Sequence, residues 1–142
     1  MNHPVPSDTP AALHTRILLV EDTIDDQRLI LKLLVNAGAE ITLECNGQAG
    51  VERFLKAAQE GQQFDIIMMD MEMPVLDGVA ATRQIRKLGF QKAIIAVTGH
   101  DSPALRSIWS AAGCDMFLAK PFTPKALIEC VASFQREDAG TL

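Results

Sequence analysis

Four short stretches carry residues that could do chemistry together. FDIIMMDMEMPVLDG, from Phe64 to Gly78, is an apolar run that ends on Asp70, with Glu72 two residues further on. RILLV runs directly into Glu21 and Asp22, AIIAV into Thr98-Gly99-His100, and FLA into Lys120-Pro121. If these run ends meet, Glu21, Asp22 and Asp70 crowd one another. Two carboxylates about 4 Å apart repel by about 4 kcal/mol at an effective dielectric near 20, so such a cluster calls for a cation or a raised pKa. Ligation by a few oxygens suits Mg²⁺, which keeps several waters and accepts phosphoryl oxygens. Lys120 and the Thr98 hydroxyl add a cation and a donor for developing negative charge. Carboxylates, a divalent metal, a lysine and a hydroxyl describe phosphoryl transfer to an aspartate.

The elements that must position these groups follow from hydrophobic periodicity. Strands are expected at 16–20, 40–45, 64–70, 92–98 and 115–119, and helices at 25–38, 48–61, 77–89, 102–113 and 123–135. Ser102 and Thr123 read as N-caps, each followed by a proline in the first turn, and Asp77-Gly78 as a turn and N-cap. Cys45-Asn46-Gly47 reads as a turn. LLV, IIMM and AIIAV are continuous rather than alternating, as expected of strands covered on both faces. Strict strand–helix alternation predicts a parallel five-stranded sheet with right-handed crossovers and helices on both sides, an α/β three-layer sandwich. Ligands of such sheets bind outside the carboxyl ends of the strands, which is where Glu21, Asp22, Asp70, Thr98 and Lys120 fall.

The chain has 142 residues, 48% of them hydrophobic and 22% charged, the balance of one globular domain. Its net charge of −5 disfavours nucleic acid or an anionic membrane as the main partner. No apolar run reaches membrane-spanning length, and MNHPVPSDTP has no signal-peptide pattern. Cys45, Cys114 and Cys130 lack CxxC spacing and read as reduced structural thiols, which points to the cytoplasm. Residues 1–14 read as a flexible tail, 15–136 as the domain and 137–142 as a second tail.

ILLVEDTIDD, IIMMDMEMPVLDG, AVTG and FLAKPF, in this order and spacing, resemble the receiver domain of two-component response regulators, over about Arg16 to Phe134. The resemblance implies a flavodoxin-like (βα)5 fold with sheet order 2-1-3-4-5. It also implies Mg²⁺-dependent transfer of a phosphoryl group from a phosphohistidine to one aspartate, in a domain that promotes its own phosphorylation and dephosphorylation rather than in an enzyme. Matched by position, Asp70 is the phosphoacceptor and a metal ligand, Asp22 a direct ligand, Glu21 a ligand through water, and the Glu72 backbone carbonyl a third protein ligand. Lys120 contacts the phosphoryl oxygens, Pro121 follows in a position that is usually cis, Thr98 is the switch hydroxyl and Phe117 the aromatic whose rotamer follows. The implied partners are a histidine kinase or histidine-phosphotransfer protein, a downstream protein, and a possible second copy through the fourth helix, fifth strand and fifth helix. Both a stand-alone regulator and the receiver of a hybrid kinase fit. Gly99 replaces the alanine common after the switch threonine and is expected to loosen the loop; Glu72 and His100 occupy variable positions beside the site.

Blander readings attach to the remaining residues. Met68, Met69, Met71 and Met73 read as packing, Asp25 and Asp26 as first-turn helix acids with contact to the acidic pocket as the alternative, and Trp109 as part of a partly buried helix face rather than a partner hot spot. His100 lacks the setting of a phosphohistidine, and His3 and His14 carry no argument. Two other functions are weighed. A small hydrolase of the haloacid-dehalogenase type needs Asp-x-Asp after its first strand, whereas here Asp-x-Glu follows the third. A phosphorylation-independent scaffold predicts loss of the acid pair, Asp70, Thr98 or Lys120, and each is present.

Overall fold

The computed structural model describes residues 13–73 and 76–134. Strands β1 (Arg16–Val20), β2 (Glu40–Glu44), β3 (Ile66–Asp70), β4 (Ala93–Thr98) and β5 (Met116–Ala119) alternate with helices α1 (Ile24–Asn36), α2 (Gly47–Gln59), α3 (Gly78–Lys87), α4 (Pro103–Ala112) and α5 (Pro124–Ala132). All pairings are parallel and the order is β2-β1-β3-β4-β5. The expected elements are all present, with ends shifted by up to three residues, α1 and α2 each beginning one residue earlier than expected. Residues 1–12 of the expected 1–14 tail and the expected tail at 137–142 lie outside the described residues, as does His3.

Continuous apolar strands feed two cores. Leu18, Val20, Ile67, Met69, Ile94 and Ala96 face Val51, Phe54, Ala81, Ile85 and Trp109 of α2, α3 and α4. Ile17, Leu19, Ile66, Met68, Ile95 and Val97 face Ile30, Leu34, Leu127 and Val131 of α1 and α5. Alternate residues of one strand therefore serve opposite layers, and each fully buried Leu or Ile stabilises by about 1.5–3 kcal/mol. The edge strand β2 is only partly covered.

Local rules set the helix starts. The side chains of Asn46, Asp77, Ser102 and Thr123 each accept a hydrogen bond from the backbone N–H three residues on. Asn46 thus turns the expected turn into the opening of α2. Leu13 corrects the expected tail boundary. It is 1% exposed and its N–H donates to the Ala37 carbonyl, because an apolar side chain next to β1 has a core to enter.

Arg86, on α3, ties the end of the sheet remote from Asp70. Its guanidinium donates to the carbonyls of Gly113 (2.7 Å), Phe90 (2.8 Å) and Lys92 (2.7 Å), and to Asp115 Oδ2 (2.8 Å). Asp115 Oδ2 in turn accepts from the Ile94 N–H at the start of β4. The arginine fork thereby links α3, the loop before β4 and the loop before β5.

Candidate functional site

The carboxyl ends of β1, β3, β4 and β5 bring the sequence-predicted groups to one edge of the sheet. Asp70, the last residue of β3, is 2% exposed. Its Oδ1 accepts from the Glu72 N–H at 2.9 Å, and its Oδ2 lies 3.8 Å from Lys120 Nζ. Glu21, just after β1, is fully buried; its Oε2 accepts from the Thr23 N–H (3.1 Å), while its backbone carbonyl takes the Gln27 side chain. Carboxylate oxygens of Glu21, Asp22 and Asp70 all lie within 4.8 Å of one another.

Electrostatics follow from that crowding. Burial, helped by the neighbouring Glu21 and Asp22 carboxylates and opposed by the Glu72 N–H, pushes Asp70 up to about 8. Burial works against the Lys120 ammonium too, yet the carboxylates of Asp26, Glu21 and Asp70 outweigh it and raise its pKa. Glu21 Oε1 is buried and lies 3.0 Å from Lys120 Nζ, an ion pair without hydrogen-bond geometry. A hard divalent cation fits this donor set: oxygen-only, anionic, clustered, and with one buried oxygen lacking a hydrogen bond.

Thr98 lies where the sequence places it, at the end of β4, but its hydroxyl engages Glu72 and His100. It donates to Glu72 Oε2 (3.2 Å) and accepts from the His100 N–H (2.9 Å). Glu72 Oε1 accepts from the Gly99 N–H at 3.0 Å, and Oε2 also meets the His100 ring at 2.5 Å. The Glu72 carboxylate thus pins the loop that Gly99 is expected to loosen. Burial raises the Glu72 pKa, but these donors from Gly99, His100 and Thr98 hold it below the usual carboxylate range. Phe117, on β5, is half-buried, with its ring 6.0 Å from that of Trp109 and the Arg106 guanidinium 5.0 Å above it. The Lys120-Pro121 bond is cis.

Asp25 and Asp26 both lie in the first turn of α1, as expected. Asp26 also reaches the acidic pocket, placing Oδ2 2.8 Å from Lys120 Nζ across 94 positions of chain. Asp25 makes no such contact.

The response regulator receiver domain model matches residues 17–132. The chain belongs to that family. As a receiver domain it is a module of two-component and phosphorelay signalling. It is similar to Two-component system protein A of Emericella nidulans, with 38% identity over 83% of the chain but only 18% of that protein's length. It is also similar to Two-component response regulator ORR41 of Oryza sativa subsp. japonica, with 36% identity over 84% of the chain and 94% of that protein. Among solved structures, the receiver domain of a Pseudomonas aeruginosa sensor histidine kinase, with a magnesium ion in its active-site cleft, is 36% identical. It superposes with a TM-score of 0.73 over 84% of this chain and 96% of that one. Its relatives thus include both short regulators and receivers inside longer proteins. Among the described residues of this receiver, no helix is long and apolar enough to cross a membrane.

Proposed function

We propose that this receiver accepts a phosphoryl group on Asp70 from a phosphohistidine. The observation that carries the reading is the placement of a buried Asp70 carboxylate among Glu21 and Asp22, with Lys120 Nζ 3.8 Å away. An Asp70 oxygen forms an O–P bond as the P–N bond of the phosphohistidine breaks. The imidazole keeps the bonding electron pair and takes up a proton, and the product is an acyl phosphate. Lys120 faces the added charge, and Thr98 reaches the phosphoryl oxygens only after releasing Glu72. Phe117, beside Trp109 on the α4 side, responds to that movement and alters the face read by a partner.

Asp22 and Asp70, the Glu72 backbone carbonyl and, through water, Glu21 would hold Mg²⁺. When bound, the ion neutralises charge between the carboxylates and the phosphoryl oxygens. Support for Mg²⁺ rests on the acidic donor set and on the related kinase receiver crystallised with that ion. The same residues serve the receiver's promotion of its own phosphorylation and dephosphorylation. A histidine kinase or phosphotransfer protein is the donor. The α4–β5–α5 face, with Ile108 exposed on α4, meets a downstream protein or a second copy.

Intact mass after incubation with Mg²⁺ and a small acyl phosphate tests this. One added phosphoryl group is expected, absent with chelator and from Asp70→Asn. An adduct of equal yield on Asp70→Asn contradicts the assignment.

A further inference from the structure

We infer that Asp26 is a positioning residue that tethers Lys120 and thereby weakens the phosphorylated form of this receiver. The inference rests on the acceptor role of Asp70.

Lys120 Nζ has three carboxylates around it at unequal distances: 2.8 Å to Asp26, 3.0 Å to Glu21 and 3.8 Å to Asp70. The Asp26 contact is the shortest of the three and has clear hydrogen-bond geometry. The ammonium is therefore drawn toward α1, away from the residue whose phosphoryl group it must meet. Both partners are partly screened from water, with side chains 19% and 29% exposed, so their attraction is less diluted than that of a surface pair. Among the described residues, Asp26 also stands outside the clustered carboxylates that could hold a metal, which are Glu21, Asp22 and Asp70.

Two consequences share a sign. A phosphoryl group on Asp70 has to draw Lys120 out of its bond with Asp26 or share it. The Asp26 carboxylate also repels the phosphoryl charge through the lysine that separates them. Each disfavours the phosphorylated state relative to the resting one, and neither acts through the metal. Replacing Asp26 with the near-isosteric, neutral asparagine removes the charge while leaving an oxygen that can still accept from Nζ. A residue with a merely structural role gives the opposite sign, since disturbing Lys120 then weakens whatever the site binds.

The probe is beryllofluoride, a phosphoryl mimic, titrated calorimetrically into the full chain at saturating Mg²⁺, so that any change in metal affinity drops out. Asp26→Asn is expected to bind it about three- to tenfold more tightly than wild type, the effect of relieving one partly buried ion pair. Asp26→Glu, which restores the charge, is expected to return to the wild-type affinity. Equal or weaker binding by Asp26→Asn overturns the tether while leaving the acceptor reading standing. Wild-type protein that binds no more mimic than Asp70→Asn overturns the acceptor reading, and the tether with it.

Discussion

The carboxylate of Glu72, two residues beyond Asp70, holds the hydroxyl of Thr98 at 3.2 Å. The same carboxylate takes the Gly99 N–H at 3.0 Å. The resting loop after β4 is therefore ordered by a side chain from the loop after β3. Glu72→Ala should free it. The Gly99 amide is expected to exchange with solvent about tenfold faster, the scale of losing one hydrogen bond to a charged acceptor. NMR-detected hydrogen exchange measures this, and an unchanged Gly99 rate means that something other than Glu72 orders the loop.

Asp70 makes the metal-free protein sensitive to pH. Its pKa is raised from 3.8 to about 8 on folding. A group raised in the folded state contributes stability that is complete below its unfolded pKa and is lost as pH climbs through the folded one. Metal-free protein should thus lose stability between about pH 4 and pH 8. Asp70→Asn removes the penalty, so its melting temperature should exceed that of wild type by several degrees near pH 8. The gap should close toward pH 4 and on adding Mg²⁺. Thermal unfolding in chelator, followed across pH, provides the check.

Gly78 opens α3 where no larger residue fits. A Cβ there would lie 2.5 Å from the Asp70 carbonyl oxygen and 2.6 Å from Met71 Cα, both backbone atoms that cannot swing aside. Gly78→Ala is expected to cost about 2–4 kcal/mol in urea unfolding and to lower phosphoryl uptake, because the displaced backbone carries the acceptor. A variant of wild-type stability would mean that α3 shifts without moving Asp70.

Arg86 gives a stability effect with no change at the acceptor. Arg86→Ala removes a donor shared by the carbonyls of Gly113, Phe90 and Lys92 and by Asp115 Oδ2, which keeps only the Ile94 N–H, and should cost about 2–4 kcal/mol. Arg86→Lys keeps the charge but not the fork and should recover less than half of that loss. Denaturant unfolding separates the two, while phosphoryl uptake at low temperature should match wild type in both.

The sequence carries the fold through features that act locally. Continuous apolar strands declare a sheet buried on both faces, and Asp77, Ser102 and Thr123 declare helix starts. Glu21, Asp22, Asp70, Thr98 and Lys120 are legible because a parallel sheet sends every strand end to the same edge. Contacts made by long side chains between distant loops are not legible in that way. Asp26 shows nothing in its own stretch that separates it from Asp25; only the return of the chain 94 positions later puts Lys120 beside it. Gly99 suggests a loose loop by its own backbone freedom, and Glu72 overrides that from the loop after β3. Leu13 reads as part of a Pro- and Ala-rich tail until the loop after α1 arrives to accept its N–H.

Locating the phosphoryl group at a single residue tests the central claim most directly. Protein treated with Mg²⁺ and an acyl phosphate can be reduced with borohydride, which converts an aspartyl phosphate into homoserine, then digested and sequenced by mass spectrometry. Homoserine in place of aspartate at position 70, dependent on Mg²⁺, is the predicted result. Homoserine at any other acidic position, with Asp70 intact, would contradict the account.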